Sequence, residues 1–306
     1  MAAMEDMDFT REPSGPRAGA PPAPSVLLKA ASSRYYDPSV ALRLFQAAGK
    51  EERFTAGEEI FAVDQKANAG GLFSRRSATR MYFLAEGEVA LTVGERLLDA
   101  VRVQEVFGEM AVITGRPRSS SATARSDCAL YSLSEEELRA ALPGAPEFAL
   151  MLMSVMFDRL RFVGARLLTR KATISRRDDI RVFDPALLQQ LEDGLGRPNI
   201  TRYQQDATIM REGQAGMVMY IVKEGRVAIT LAGNVVESVG PGGCFGEIAL
   251  VDQSPRTASA TAEQWCELLT VDRASLLDAV RRQPAIAMAM LRAIAERLRH
   301  LNSQLR

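Results

Sequence analysis

The sequence predicts an α+β chain of two tandem β-roll or jelly-roll barrels. Each is expected to carry a short helix in front and C-terminal helices behind, one of them long with a heptad stripe. Three observations predict this. A long block recurs once at a constant spacing of 138 residues. Within each copy, short runs rich in β-branched residues alternate with glycine-bearing turns, the pattern of an antiparallel barrel. Each copy closes on a stretch whose apolar residues fall at helical spacing.

The repeat is read directly from the residues. Met81-Tyr82-Phe83-Leu84-Ala85-Glu86-Gly87-Glu88-Val89-Ala90 recurs as Met219-Tyr220-Ile221-Val222-Lys223-Glu224-Gly225-Arg226-Val227-Ala228. Arg118, Pro146 and Arg161 recur as Arg256, Pro284 and Arg299. Upstream the spacing grows to 147 at Asp37-Pro38 and Asp184-Pro185, and to 149 at Ile60 and Ile209. The first copy therefore carries 11 extra residues between Ile60 and Met81. They are rich in Gly, Ser and Arg around 67–77 and read as a surface loop. The chain divides into a flexible tail over 1–32, a first repeat over 33–172, a linker over 173–183 and a second repeat over 184–306.

Composition agrees with two globular units. A chain of 306 residues suits two domains, and 47% apolar with 25% charged residues lets each half bury a core. Lys plus Arg and Asp plus Glu both number 38, so no net charge draws the chain to DNA or to an anionic membrane. Three scattered cysteines and the single His300 offer no metal-ligand spacing, so no metal or cofactor is expected. Free buried thiols suit a reducing, cytoplasmic setting. Neither a secretory leader nor an apolar stretch of membrane-spanning length is present.

Each repeat opens at Asp37-Pro38 or Asp184-Pro185, an N-cap followed by proline at the first helical position. The opening helices are expected to run through Phe45 and Leu191. Val89-Ala90-Leu91-Thr92-Val93 and Val227-Ala228-Ile229-Thr230-Leu231 read as strands. Ser134 with Glu137 forms a full capping box, whereas Asp272 with Ser275 has only the N-cap half. After Pro146, the residues Ala149, Met153, Met156, Leu160, Val163 and Leu167 are spaced 4, 3, 4, 3, 4. Ala287, Leu291, Ile294, Leu298, Leu301 and Leu305 repeat that spacing. Such stripes serve either as core within one chain or as a seam between copies, and a homodimer through the long helices is expected. Trp265 is expected in the core and His300 on a solvent-facing helix surface. Cys244 is expected to be buried and unreactive.

The most specific motif runs Phe107-Gly108-Glu109-Met110-Ala111-Val112-Ile113-Thr114-Gly115-Arg116-Pro117-Arg118-Ser119-Ser120, and its partner runs Phe245-Gly246-Glu247-Ile248-Ala249-Leu250-Val251-Asp252-Gln253-Ser254-Pro255-Arg256-Thr257-Ala258. These residues resemble the phosphate-binding cassette of the cyclic-nucleotide-binding domain family, which includes the bacterial catabolite activator protein and the regulatory subunits of cyclic-AMP-dependent protein kinase. The resemblance covers about residues 35 to 305, in two copies. It implies that Glu109 and Glu247 take the ribose hydroxyl and Arg118 and Arg256 the phosphate. Ser119 and Thr257 would assist, beside Ser120 and Ala258. Gly108 and Gly246 would admit the ligand to the backbone, ahead of Met110, Ala111, Ile248 and Ala249. The chemistry suits these types: glycine permits close approach, and arginine presents a planar fork to phosphate oxygens.

The copies differ. The second has Pro241-Gly242-Gly243 before its cassette, where the first has Val103-Gln104-Glu105. In the family the C-terminal helix touches the base, which points to Val163 and Gly164 in the first copy and to Leu301 and Asn302 in the second. Of these only Asn302 offers a polar edge. The second copy is therefore expected to bind better.

The expected function is a sensor of cyclic AMP or cyclic GMP that moves a helix to control a separate protein effector. The alternative is a scaffold whose barrels no longer bind nucleotide. An enzyme is not expected, since no paired catalytic carboxylates, nucleophile–base pair or Walker loop stands out. DNA binding is not expected, since no recognition helix follows either repeat. Arg75-Arg76-Ser77-Ala78 and Arg176-Arg177-Asp178 read as solvated basic loops rather than kinase-inhibitor segments.

Overall fold

Asp37 and Asp184 cap the helices that open the repeats, accepting from the backbone N–H groups of Ser39 and Leu187 at 2.8 Å each. Those helices are α1 (Pro38–Ala48) and α5 (Pro185–Gly194). The computed structural model describes residues 33, 35–64, 79–169, 177–178, 181–195 and 199–303. The expected tail over 1–32 and the inserted loop around 67–77 lie outside these residues, as do Arg75-Arg76-Ser77-Ala78 and Arg176.

The first repeat continues with β1 (Lys50–Phe54), β2 (Glu59–Phe61), β3 (Arg80–Glu86), β4 (Val89–Val93), β5 (Arg96–Val101), β6 (Val106–Phe107), α2 (Glu109–Thr114), β7 (Ser121–Ala124), β8 (Cys128–Ser134), α3 (Glu135–Ala141) and α4 (Pro146–Thr169). Two four-stranded antiparallel sheets, in orders β1-β8-β3-β6 and β2-β7-β4-β5, face each other as a jelly roll. Residues such as Phe54, Ile60, Leu84 and Leu130 fill the space between them. Ser134 and Glu137 form the expected reciprocal cap of α3.

A two-residue strand, β9 (Arg177–Asp178), precedes α5. The second repeat then runs β10 (Asn199–Tyr203), β11 (Thr208–Met210), β12 (Val218–Glu224), β13 (Val227–Leu231), β14 (Asn234–Val239), β15 (Cys244–Phe245), α6 (Glu247–Asp252), β16 (Ser259–Ala262), β17 (Cys266–Asp272), α7 (Arg273–Arg282) and α8 (Pro284–Ser303). Its sheets repeat the first topology, β10-β17-β12-β15 and β11-β16-β13-β14. The second gains β9 as a parallel edge strand on β14. The segment expected to be a plain linker thus joins the sheet.

Turn glycines hold the same place in both copies. Gly87 and Gly225 have φ of +96° and +88°, and a Cβ at Gly225 would lie 2.2 Å from the Trp265 carbonyl. Gly225→Ala is therefore expected to combine left-handed strain of roughly 1–3 kcal/mol with a backbone clash. Gly57, at φ +86° with nothing within 4 Å, isolates the strain. Urea unfolding should show a larger midpoint loss for Gly225→Ala than for Gly57→Ala.

The helices do not stay with their own barrels. α4 packs along α8, α2 touches α8, and α4 touches α6, so each long helix braces the cassette helix of the other repeat. Arg116 pairs with Glu296 at 2.9 Å, and Arg161 reaches Asp252 at 2.5 Å. Met153, Met156, Leu160 and Val163 of α4 share one buried cluster with Leu291, Ile294 and Leu298 of α8. This corrects the expected dimer seam: the stripe is covered within one chain, so it is not free to pair copies. Among the described residues, no single helix is long and apolar enough to cross a membrane.

Two smaller expectations also change. Trp265 is 39% exposed in the turn before β17, where its carbonyl rather than its ring packs on Gly225. His300 is half-buried on α8 rather than facing solvent. Cys128, Cys244 and Cys266 are buried and unpaired by disulfide. Burial pushes the Cys244 thiol well above its ordinary value, which keeps it protonated and unreactive.

Candidate ligand-binding site

The second cassette is shaped by glycines. Gly246 takes φ +76° at the start of α6, and a Cβ there would lie 2.6 Å from Nη1 of Arg256. A Cβ at Gly216 would lie 2.2 Å from Nε of the same side chain. Arg256 is thus threaded past two glycines into the barrel, and Nη1 donates to the Gly246 carbonyl at 2.7 Å. It is only 5% exposed. No carboxylate lies within ion-pair distance of it among the described residues. Burial lowers its pKa from the ordinary arginine value, against the opposing pull of Tyr220 and Glu247.

Glu247 is buried and held by the guanidinium of Arg297 on α8. Arg297 also reaches Glu237 on β14 at 3.0 Å. Burial disfavours the charge on Arg297, yet Glu237 and Glu247 outweigh it and hold the group above the ordinary arginine value. Arg256, Glu247, Gly246, Ile248, Ala249, Thr257 and Ala258 all line one cavity of 360 Å³. Its other walls are mostly apolar. Leu301 lines it from α8, whereas the side chain of Asn302 lies outside the described residues. This volume lies in the range of small-molecule pockets, about 300–1,000 Å³.

The first cassette has the same plan but little space. Gly108 adopts φ +74°, and Arg118 donates to the Gly108 carbonyl at 2.8 Å and to the Arg80 carbonyl at 2.6 Å. Its guanidinium sits 4.0 Å over the ring of Phe61. The second copy has Met210 at the position of Phe61 and Gly243 at that of Glu105. The larger side chains leave 80 Å³, bounded by Asp99, Glu105, Glu109, Met110, Ala111, Arg118 and Ser120 among others. Ser119 lines it but is itself exposed. Glu109 pairs with Arg159 of α4. Three carboxylates against two arginines make this cavity unfavourable for a phosphate.

The structure brings together the cassette residues expected of each copy, and adds several that the sequence reading missed. Arg159 and Arg297 hold the two cassette glutamates and recur at the same 138 spacing, which is the signal that could have revealed them. Gly216 had no such signal, since glycines in turns are common. The base-facing role expected for Val163 and Gly164 in the first copy is not observed: Val163 is buried core, and Gly164 lines the cavity of the second repeat.

Comparison with known proteins agrees with this geometry. The family model "Cyclic nucleotide-binding domain" matches residues 72–143 and 200–283, just over half of the chain. A cAMP-dependent protein kinase regulatory subunit of Dictyostelium discoideum is 29% identical over 175 residues, 55% of this chain and 47% of that protein. A cGMP-dependent protein kinase of Toxoplasma gondii is 25% identical over 214 residues, 69% of this chain and 19% of that protein. The chain therefore spans half or less of these relatives. The co-crystal structure of the regulatory domain of Toxoplasma gondii PKA with cAMP covers 84% of this chain and 88% of its own, at 22% identity and a TM-score of 0.29. With two matched segments, two copies of the cassette and two jelly rolls, the chain belongs to the cyclic nucleotide-binding domain family.

Proposed function

We propose that the chain is a regulatory sensor whose second repeat binds one cyclic mononucleotide, cyclic AMP or cyclic GMP, and passes the event to a separate protein effector by moving its helices. The reading rests on Arg256. A guanidinium that is 5% exposed, without a carboxylate partner among the described residues, lines a 360 Å³ cavity beside Glu247. A phosphodiester supplies the opposite charge, and the ribose hydroxyl supplies a donor for the carboxylate. The sensor works by binding rather than by chemistry of its own. The first repeat is a structural partner, because its arginine is already spent on two carbonyls and its cavity measures 80 Å³.

Titration calorimetry with each nucleotide tests this. One saturable site per chain is expected. Arg256→Ala should weaken it roughly tenfold to a hundredfold, the cost of losing a charged hydrogen bond. Arg118→Ala should leave the affinity within about twofold. Absence of heat with both nucleotides would remove the proposal and favour a scaffold role.

A further inference from the structure

The second cavity is not built by the second repeat alone. Leu160, Arg161, Gly164 and Ala165 of α4, from the first repeat, form part of its wall. Positions spaced this way share one helix face. Arg161 fixes that face in place by reaching Asp252 at the end of α6, a carboxylate with essentially no exposure that also accepts from the Ser254 backbone at 3.0 Å.

Gly164 is the informative residue. Glycine weakens a helix interior relative to alanine, so its presence within α4 needs a reason. Its backbone does not supply one, because it has no positive φ. Nor does protein packing, because a Cβ built there would meet nothing within 4 Å although the residue is buried. The side that lacks protein atoms is the cavity.

The geometry points to a composite site: a cyclic nucleotide held by Arg256 and Glu247 also rests against Gly164 and its neighbours on α4, so the first repeat senses occupancy of the second. This rests on the reading that the second cavity takes a cyclic nucleotide. Once the phosphate and ribose are placed, the base has only the remaining walls to contact: barrel residues such as Ile229 and Val236, Leu301 of α8, and the α4 face.

The test uses the full chain titrated with cyclic AMP and with cyclic GMP. Gly164→Leu places a side chain in the cavity from the first repeat and should lower affinity at least tenfold, with no loss of melting temperature because leucine favours helix. Gly164→Ala should stay within about threefold. Gly144→Leu, on an exposed turn with nothing within 4 Å of its Cβ, should match the wild type. In the unaltered chain, saturating nucleotide should slow amide exchange over 158–167. If Arg256→Ala abolishes binding while Gly164→Leu keeps wild-type affinity and α4 gains no protection, the composite site is wrong and the simpler site in the second repeat stands. If the wild type binds neither nucleotide, both readings fall.

Discussion

Arg297→Ala is expected to be the most disruptive single change in the second repeat. The side chain of Arg297 is 16% exposed and lies between Glu247 and Glu237, whose side chains are 4% and 9% exposed. Removing it leaves two buried carboxylates facing each other. Breaking a buried ion pair from one side costs about 3–5 kcal/mol, mostly because the remaining charge has lost its partner. Chemical denaturation should show that loss. Restoring charge balance with Glu237→Gln in the same chain should recover part of it. The double variant should still bind nucleotide weakly, because Glu247 would no longer be held toward the cavity. A variant as stable as the wild type would show that water reaches these carboxylates and that the cluster contributes little.

The second large effect is expected at Phe157. Its ring is fully buried in α4, within the one cluster that includes core residues of both repeats. Phe157→Ala should cost about 3–5 kcal/mol through lost burial and the cavity left behind. Because that cluster is shared, the whole chain should still melt in one calorimetric transition at a lower temperature. Two separated transitions, with only the first displaced, would mean that the α4–α8 packing does not bind the repeats into one cooperative unit.

Most of the fold was legible because the repeat writes the same local chemistry twice. Proline after an aspartate cap, glycine between strands and the Phe-Gly-Glu to Pro-Arg spacing are each local signals, and their recurrence in register made them specific. The cassette side chains were legible for the same reason. What escaped depends on contacts far apart in the chain. Arg159 and Arg297 lie 50 residues beyond their glutamates, and an ion pair leaves no periodic trace in sequence. The heptad stripe on α4 has the same appearance whether α8 or a second copy covers it, so only the three-dimensional arrangement separated those cases. Trp265 was expected inside because its size favours burial, but the turn at Gly225 uses its backbone and leaves the ring outside. Cavity size was partly visible in the exchange of Gly243 for Glu105, whereas the effect of Phe61 beneath Arg118 required the fold.

The stretch that enters the second repeat has a mechanical consequence. Val182 and Phe183 both donate to the Gly242 carbonyl at 2.9 Å, and a Cβ at Gly242 would lie 2.4 Å from the Phe183 carbonyl. A flexible spacer sets reach through its length. Here the chain is clamped to the turn that leads into β15 and the cassette, and β9 is clamped to the neighbouring edge. Lengthening the path between the barrels would therefore leave the clamp intact and absorb the slack ahead of it. Altering Gly242 would change the angle at which the second barrel is carried, and with it the aim of the cassette.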